Sequence, residues 1–323
     1  MLYLSISLGL ILLLVGGETL VKGSVDLARR FEVPPLIIGI VLVGLGTSVP
    51  ELVTCIKAAL NGVPDMAVGN VIGSNIANIL LVVGVGSIFM PIVTPVKAFK
   101  RDGAALAIFT AVFVGVCFFG EISRLLGSVF LIFLATYLLF SYYSEKQQST
   151  KIEADALIPE TKEDKQSSSV LVGLMLTFGG IALTVFGADL LVDGGTQIAK
   201  KFGISDAIIG LTIVAIGTSL PELATAIIAG VRGHSDMALG NIIGSNIYNM
   251  LGILGTTAVI QPLNIPTGIL HFDIWVMAAA TLLMLLVPLS KQCVSRREGV
   301  MMVSCYGGYM YLLYLVTIGT VAF

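Results

Sequence analysis

Long apolar runs dominate the chain, interrupted only briefly by polar residues. Leu2–Val15 (continuing past Glu18), Ile122–Tyr143, Ile269–Leu289 and Val300–Ala322 approach or exceed the ~18–20 residues that cross a bilayer as a helix. They do not alternate polar and apolar positions in segments of about ten, as barrel strands would. The pattern predicts ten helical spans, near 2–27, 34–60, 66–90, 101–119, 122–143, 170–199, 205–230, 236–259, 269–289 and 299–322. The class that follows is an all-α integral membrane protein.

Composition agrees. Hydrophobic residues make up 56% and charged residues 12%, with a mean hydropathy of +0.98, whereas soluble domains carry about 25% charged residues. The N-terminal run has no basic flank and no small-residue cleavage site, so it is expected to stay as the first span. Cys55, Cys117, Cys293 and Cys305 show no CxxC spacing and read as small apolar residues. A net charge of −2 without a basic patch gives no reason to expect a nucleic-acid partner. Membrane lipid is the expected surrounding, and no obligate protein partner is evident.

One polar stretch, Ser144 to Ser169, separates two sets of five spans and reads as a flexible linker. The division is thus 1–143, 144–169 and 170–323. The two halves are copies. Asp65-Met-Ala-Val-Gly-Asn-Val-Ile-Gly-Ser-Asn-Ile-Ala-Asn-Ile-Leu80 matches the stretch from Asp236 to Leu251, and Gly46-Thr-Ser-Val-Pro-Glu-Leu52 matches the stretch from Gly217 to Leu223, both at an offset of 171 that holds back to Gly16 and Gly187. Five spans per half turn the second copy upside down. With the N-terminus outside, thirteen lysines and arginines fall in inner loops and three (Arg124, Lys200, Lys201) in outer loops, while Lys22 and Lys57 lie inside spans. The positive-inside rule then places both termini outside and the linker in the cytoplasm. Inverted repeats of this kind are an architecture of secondary transporters, with the site at the midplane.

Span two carries Gly44-Leu-Gly-Thr-Ser-Val-Pro-Glu51 and span seven Ala215-Ile-Gly-Thr-Ser-Leu-Pro-Glu222. Proline lacks an N–H, so Pro50 and Pro221 are expected to free the carbonyls of Gly46 and Gly217 and break each helix. Neighbouring glycines ease the unwinding. Free carbonyls beside hydroxyls and a carboxylate make an oxygen cluster suited to a hard cation such as calcium or sodium. Glu51 and Glu222 would face each other across the pseudo-twofold axis. Alone they would repel; a divalent cation between them cancels both charges. The alternative is a pair of protonated structural glutamates.

Asn70, Ser74 and Asn78 recur every four residues in span three, as do Asn241, Ser245 and Asn249 in span eight, placing each trio on one helix face. Asn70 and Asn241 fit interhelical hydrogen bonding and ion contact equally; for the serines and second asparagines, ion contact is the expectation. Glu18 and Asp189 are equivalent and suit either an access path or an interface. Lys22 and Asp193 fit snorkelling, and His234 and His271 read as loop residues.

On these motifs, Gly-Thr-Ser-x-Pro-Glu and Gly-Asn-x-x-Gly-Ser-Asn-Ile-x-Asn in two copies each, the chain resembles the calcium/cation antiporter superfamily and, within it, prokaryotic sodium/calcium exchangers. The resemblance implies calcium held by the carboxylates of Glu51 and Glu222 and the carbonyls of Thr47 and Thr218. It implies sodium sites from Ser48, Ser74, Asn78, Ser219, Ser245 and Asn249, with the carbonyls of Gly44 and Ala215 nearby. It further implies spans one and six sliding across the other eight. The position of Asn249 is commonly an aspartate in such exchangers, so this site has two carboxylates rather than three. No cofactor is expected. The plasma membrane of a prokaryote is the expected location, the inner one if two are present. Proton or other-cation coupling on the same scaffold is the runner-up. A membrane enzyme is disfavoured, since no His-Glu-x-x-His or Gly-x-Ser-x-Gly occurs. The linker has no calcium-binding loop, so no cytosolic regulatory domain is expected.

Overall fold

The structure is a computed structural model that describes residues 2–31, 35–62, 64–93, 96–155, 169–201, 215–291 and 293–317. Its first half runs α1 (Leu2–Arg30), α2 (Pro35–Ile38), a π-helical turn (Gly39–Val43), α3 (Gly44–Thr47), α4 (Val49–Leu60), α5 (Pro64–Ile76), a second π turn (Ala77–Val83), α6 (Gly84–Phe89), β1 (Ile92–Val93), α7 (Val96–Cys117), β2 (Glu121–Ile122) and α8 (Arg124–Asp155). The second half runs α9 (Val170–Lys201), α10 (Ala215–Thr218), α11 (Leu220–Val231), α12 (Ser235–Ile247), a π turn (Tyr248–Ile253), α13 (Leu254–Ile260), β3 (Leu263–Asn264), a π turn (Ile269–Asp273), α14 (Ile274–Lys291), β4 (Cys293–Val294) and α15 (Arg296–Thr317).

Among the described residues seven helices are long and apolar enough to cross a membrane, or eight if the bent pair around Ser48 counts as one. Val96–Cys117 has the length but carries Lys100, Arg101 and Asp102 near its start. The N-terminal part of the expected seventh span, 202–214, lies outside the described residues. The predicted linker begins differently from expectation, because α8 continues to Asp155. Glu145, Lys146 and Gln147 follow the apolar run directly, and all three are good helix formers. His271 likewise sits within a π turn rather than a loop, and Cys305 is exposed while Cys55 and Cys117 are buried.

Burial ranks the helices. The stretches 66–89 and 235–260 are 78% and 83% buried, while the other long apolar helices are 22–39% buried. The two carrying the Gly-Ser-Asn motifs are therefore central. Around them the outer faces expose large apolar side chains such as Leu14, Phe119, Leu125, Met175, Leu286 and Tyr311, as lipid contact requires.

α1 and α9 pack antiparallel along a seam of glycines. Gly9, Gly16 and Gly23 on one helix, and Gly173, Gly180, Gly187 and Gly194 on the other, recur every seven residues. Seven residues are two turns, so each set lies on one face. A Cβ at Gly16 would stand 2.7 Å from Thr184 N, and one at Gly187 2.8 Å from Leu13 N. The backbones touch, as small-residue seams in membranes permit.

Elsewhere the halves interlock reciprocally. β1 pairs antiparallel with β4 (Ile92↔Val294), and β2 with β3 (Ile122↔Leu263). α8 lies on α13, where a Cβ at Gly127 would be 2.8 Å from Gly255 O. α15 lies on α6, where one at Gly299 would be 2.6 Å from Gly84 O. Within each half, Tyr137 donates to Asp102 at 3.3 Å and, equivalently, Tyr309 to Asp273 at 2.8 Å. Each of these contacts recurs in the other half at an offset of 171 or 172.

Candidate cation site

Each Thr-Ser-x-Pro-Glu segment breaks its helix at the serine. Ser48 (φ −84°, ψ 8°) separates α3 from α4, and Ser219 (φ −91°, ψ 5°) separates α10 from α11. The first break bends the pair by 48°. Pro50 and Pro221 stand in the first turn of the second piece, where a missing N–H leaves nothing unmade. One backbone bond spans the break, from the Ser48 N–H to Gly44 O at 3.2 Å. Glu51 and Glu222 sit in the first turns of α4 and α11, where the helix dipole favours negative charge.

Glu51 and Glu222 are both 0% exposed and close enough to sense each other's charge. Ser48, from the first half, donates to Glu222 Oε1 of the second at 3.2 Å. Thr47 Oγ1 donates to Asn241 Oδ1 at 3.3 Å, and Ser245 Oγ to Gly44 O at 3.3 Å. Thr47, Ser48, Ser74, Asn78, Ser219, Ser245 and Asn249 are buried with the glutamates. Thr218 lies half-buried at the end of α10, and Ala215 begins that helix. Asn78 and Asn249 each occupy the second position of a π turn, a widened geometry that recurs at functional sites.

Several oxygens in this cluster have no hydrogen-bond partner among the described residues. They include both carboxylate oxygens of Glu51, Oε2 of Glu222, the hydroxyls of Ser74 and Ser219, and the side-chain oxygens of Asn78 and Asn249. A buried polar group left unpaired costs ~1–3 kcal/mol, and a charged one more. Among the described residues no three His, Cys, Asp or Glu side chains converge. The donor set is two carboxylates with neutral oxygens, matching hard cations rather than thiolate- or imidazole-seeking metals.

Other sequence candidates separate. Asn70 is half-buried and donates to Cys55 Sγ at 3.4 Å, an interhelical role, whereas Asn241 touches the cluster through Thr47. Gly44 O already accepts from Ser245, Thr47 and the Ser48 amide. Glu18 forms a bidentate ion pair with Arg232 beside a polar recess lined by Lys22, Asp26, Arg29 and His234. Asn75 and Asn246, not singled out from sequence, are each 1% exposed. Asn75 Oδ1 accepts from Asn249 Nδ2 at 3.2 Å. They sit one residue past the serines, off the face that the four-residue spacing traces; the Gly-Ser-Asn repetition was the available signal.

The comparisons with known proteins point the same way. The family described as "Sodium/calcium exchanger protein" matches residues 1–143 and 172–315. A protein named "Putative antiporter CaxA" from Alkalimonas amylolytica is 39% identical over 95% of this chain and 96% of its own. The "Sodium/calcium exchanger MaX1" of Methanosarcina acetivorans is 31% identical over 97% and 99%. A structure of the sodium-calcium exchanger NCX_Mj soaked with zero Na+ and Ca2+ superposes with a TM-score of 0.80 at 31% identity, covering 98% of this chain and 100% of that one. These relatives are transporters rather than enzymes, and the chain belongs, as a multi-pass membrane antiporter, to the sodium/calcium exchanger family.

Proposed function

We propose that the chain exchanges sodium for calcium by alternating access, at a single midplane site shared between two inverted five-span halves. The observation that carries this reading is the burial, in both halves, of polar side chains whose oxygens lack hydrogen-bond partners among the described residues, centred on Glu51 and Glu222. Calcium sits between the two carboxylates with the carbonyls of Thr47 and Thr218. Sodium ions use Ser48, Ser74, Asn78, Ser219, Ser245 and Asn249 around the same carboxylates. The carbonyls of Gly44 and Ala215 join the sodium set, Gly44 only after the Ser245 hydroxyl turns away from it. Two carboxylates balance one calcium or two sodium charges, so either cargo neutralises the site before it crosses the apolar interior.

The moving part is α1 with α9. Their glycine seam joins backbone to backbone and makes them one body, while their contact with the site helices runs largely through apolar side-chain tips such as Ile181 against Gly46 and Ile228 against Gly17, with the exposed Glu18–Arg232 pair as a polar tie at one end. Such tips offer little to hold a sliding surface in register. Both termini face outward and residues 144–169 lie in the cytoplasm.

Calcium uptake into sodium-loaded proteoliposomes diluted into sodium-free buffer tests the proposal. Uptake should require internal sodium, fail with potassium loading, and vanish in Glu51→Gln and Glu222→Gln. Uptake that follows an imposed pH gradient instead would move the function to proton-coupled exchange on the same scaffold.

A further inference from the structure

We infer that Asn75 is a positioning residue that fixes the side-chain amide of Asn249 and turns its oxygen into a neutral cation ligand. The inference rests on the proposed cation site and adds a determinant to it. Asn75 and Asn249 come from opposite halves, are 1% and 0% exposed, and meet through one hydrogen bond of 3.2 Å from Asn249 Nδ2 to Asn75 Oδ1. Asn75 is itself anchored at its other end, where Nδ2 points at Met277 Sδ at 3.7 Å. Holding Asn249 by its nitrogen leaves Asn249 Oδ1 buried and without a partner among the described residues. An amide oxygen in that state is a ready ligand for a hard cation.

The arrangement accounts for an amide at this position. A carboxylate at 249 has no hydrogen to give to Asn75 Oδ1, and would force Asn75 to turn and leave Met277. It also differs from the equivalent place in the other half. There Asn246 Nδ2 donates to its own helix at Ile242 O, 2.7 Å away, and both amide atoms of Asn78 are left without partners among the described residues. Asn249 is therefore a pre-set ligand and Asn78 an adjustable one.

The test is radiolabelled calcium binding to the purified wild-type protein, with sodium as competitor, compared with Asn75→Ala, Asn249→Ala and the double variant. Asn75→Ala should weaken sodium competition about five- to tenfold while changing calcium affinity without sodium by less than about threefold. The double variant should match Asn249→Ala within about twofold, because residues acting through one another are not additive. Asn75→Ser, too short to reach Asn249, should give the same result and serves if the alanine form does not stay monodisperse. Unchanged sodium competition in Asn75→Ala would overturn the inference, as would parallel loss of both cations or multiplied effects in the double variant. Wild-type protein that binds neither cation would overturn the reading of the site itself, and this inference with it.

Discussion

The two halves agree in their scaffold and disagree at their centre. β1 with β4 and β2 with β3, Gly127 on Gly255 and Gly299 on Gly84, Tyr137 with Asp102 and Tyr309 with Asp273 are reciprocal pairs. At the centre Ser48 holds Glu222, yet Ser219 Oγ and both oxygens of Glu51 have no partner among the described residues. The residues there are matched and only their bonds differ, so this asymmetry belongs to a conformation. A second asymmetry is written in the sequence: Arg232 pairs with Glu18, whereas the equivalent of Arg232 is Asn61 and that of Glu18 is Asp189. Conformational asymmetry can reverse during a transport cycle; a substituted residue biases every state in one direction.

The largest expected effect comes from removing the element both halves share. Glu51→Gln and Glu222→Gln should each lower sodium-driven calcium uptake at least about a hundredfold, since stripping one partner from a buried charge cluster costs ~3–5 kcal/mol. The two variants should be equally inactive although the glutamates differ in hydrogen bonding here. A variant with more than about a tenth of wild-type uptake would mean that one carboxylate is structural.

Next is the glycine seam. Gly16→Leu forces side-chain atoms into space where even Cβ is 2.7 Å from Thr184 N, so it should destabilise by ~1–3 kcal/mol or more. Gly308→Ala is the contrast: that position is exposed on α15 with nothing within 4 Å of a Cβ. It should be neutral or stabilising by up to about 1 kcal/mol. Thermal unfolding in detergent, read by monodispersity, compares them. Equal midpoints would mean that α1 and α9 do not meet along this face.

How much of this was legible follows from how far apart the interacting residues lie. Each copied motif, with its glutamate and proline or its trio face, lies within about sixteen consecutive residues, where periodicity and spacing speak directly. The seam needed two helices some 170 positions apart to be set side by side, and seven-residue glycine spacing on one helix does not name its partner. Asn75 was missed because its role exists only through Asn249 on the other half. The π turns have no composition of their own; tertiary packing around Asn78 and Asn249 sets them. The helical run from Ser144 to Asp155 was hidden because its residues favour a solvated linker and a helix alike.

A smaller test uses the paired aspartates. Asp102 accepts from Arg101 at 2.8 and 2.9 Å, from Tyr137 at 3.3 Å and from Ser141 at 3.5 Å; Asp273 accepts from Tyr309 at 2.8 Å. Asp102→Ala should therefore cost more stability than Asp273→Ala, ~3 against ~1 kcal/mol, with thermal midpoints ordered accordingly. The reverse order would mean that the Asp102 network holds little of the fold together.

The smallest effect separates the permanent asymmetry from the transient one. Arg232 caps the C-terminus of α11 at φ −79°, ψ 0°, and Asn61 caps α4 at φ −84°, ψ 6°, so the two backbones present their side chains alike. The Arg232 and Glu18 side chains are 58% and 41% exposed, and an exposed pair contributes ~0.2–1 kcal/mol. Arg232→Gln should thus change calcium uptake by no more than about fivefold and lose that difference in 0.5 M choline chloride, where screening is within about 4 Å. Asn61→Arg with Asp189→Glu builds the missing counterpart beside Lys57, which already lies within electrostatic reach of Asp189. If the single pair biases one side of the transport cycle, the added pair offsets it. Uptake measured in right-side-out and inside-out vesicles should then become more alike. If the two vesicle types differ as much after the change as before, the preference for one side lies in the centre, in bonds such as Ser48 to Glu222, and the surface pair only trims the stability of α1 against α11.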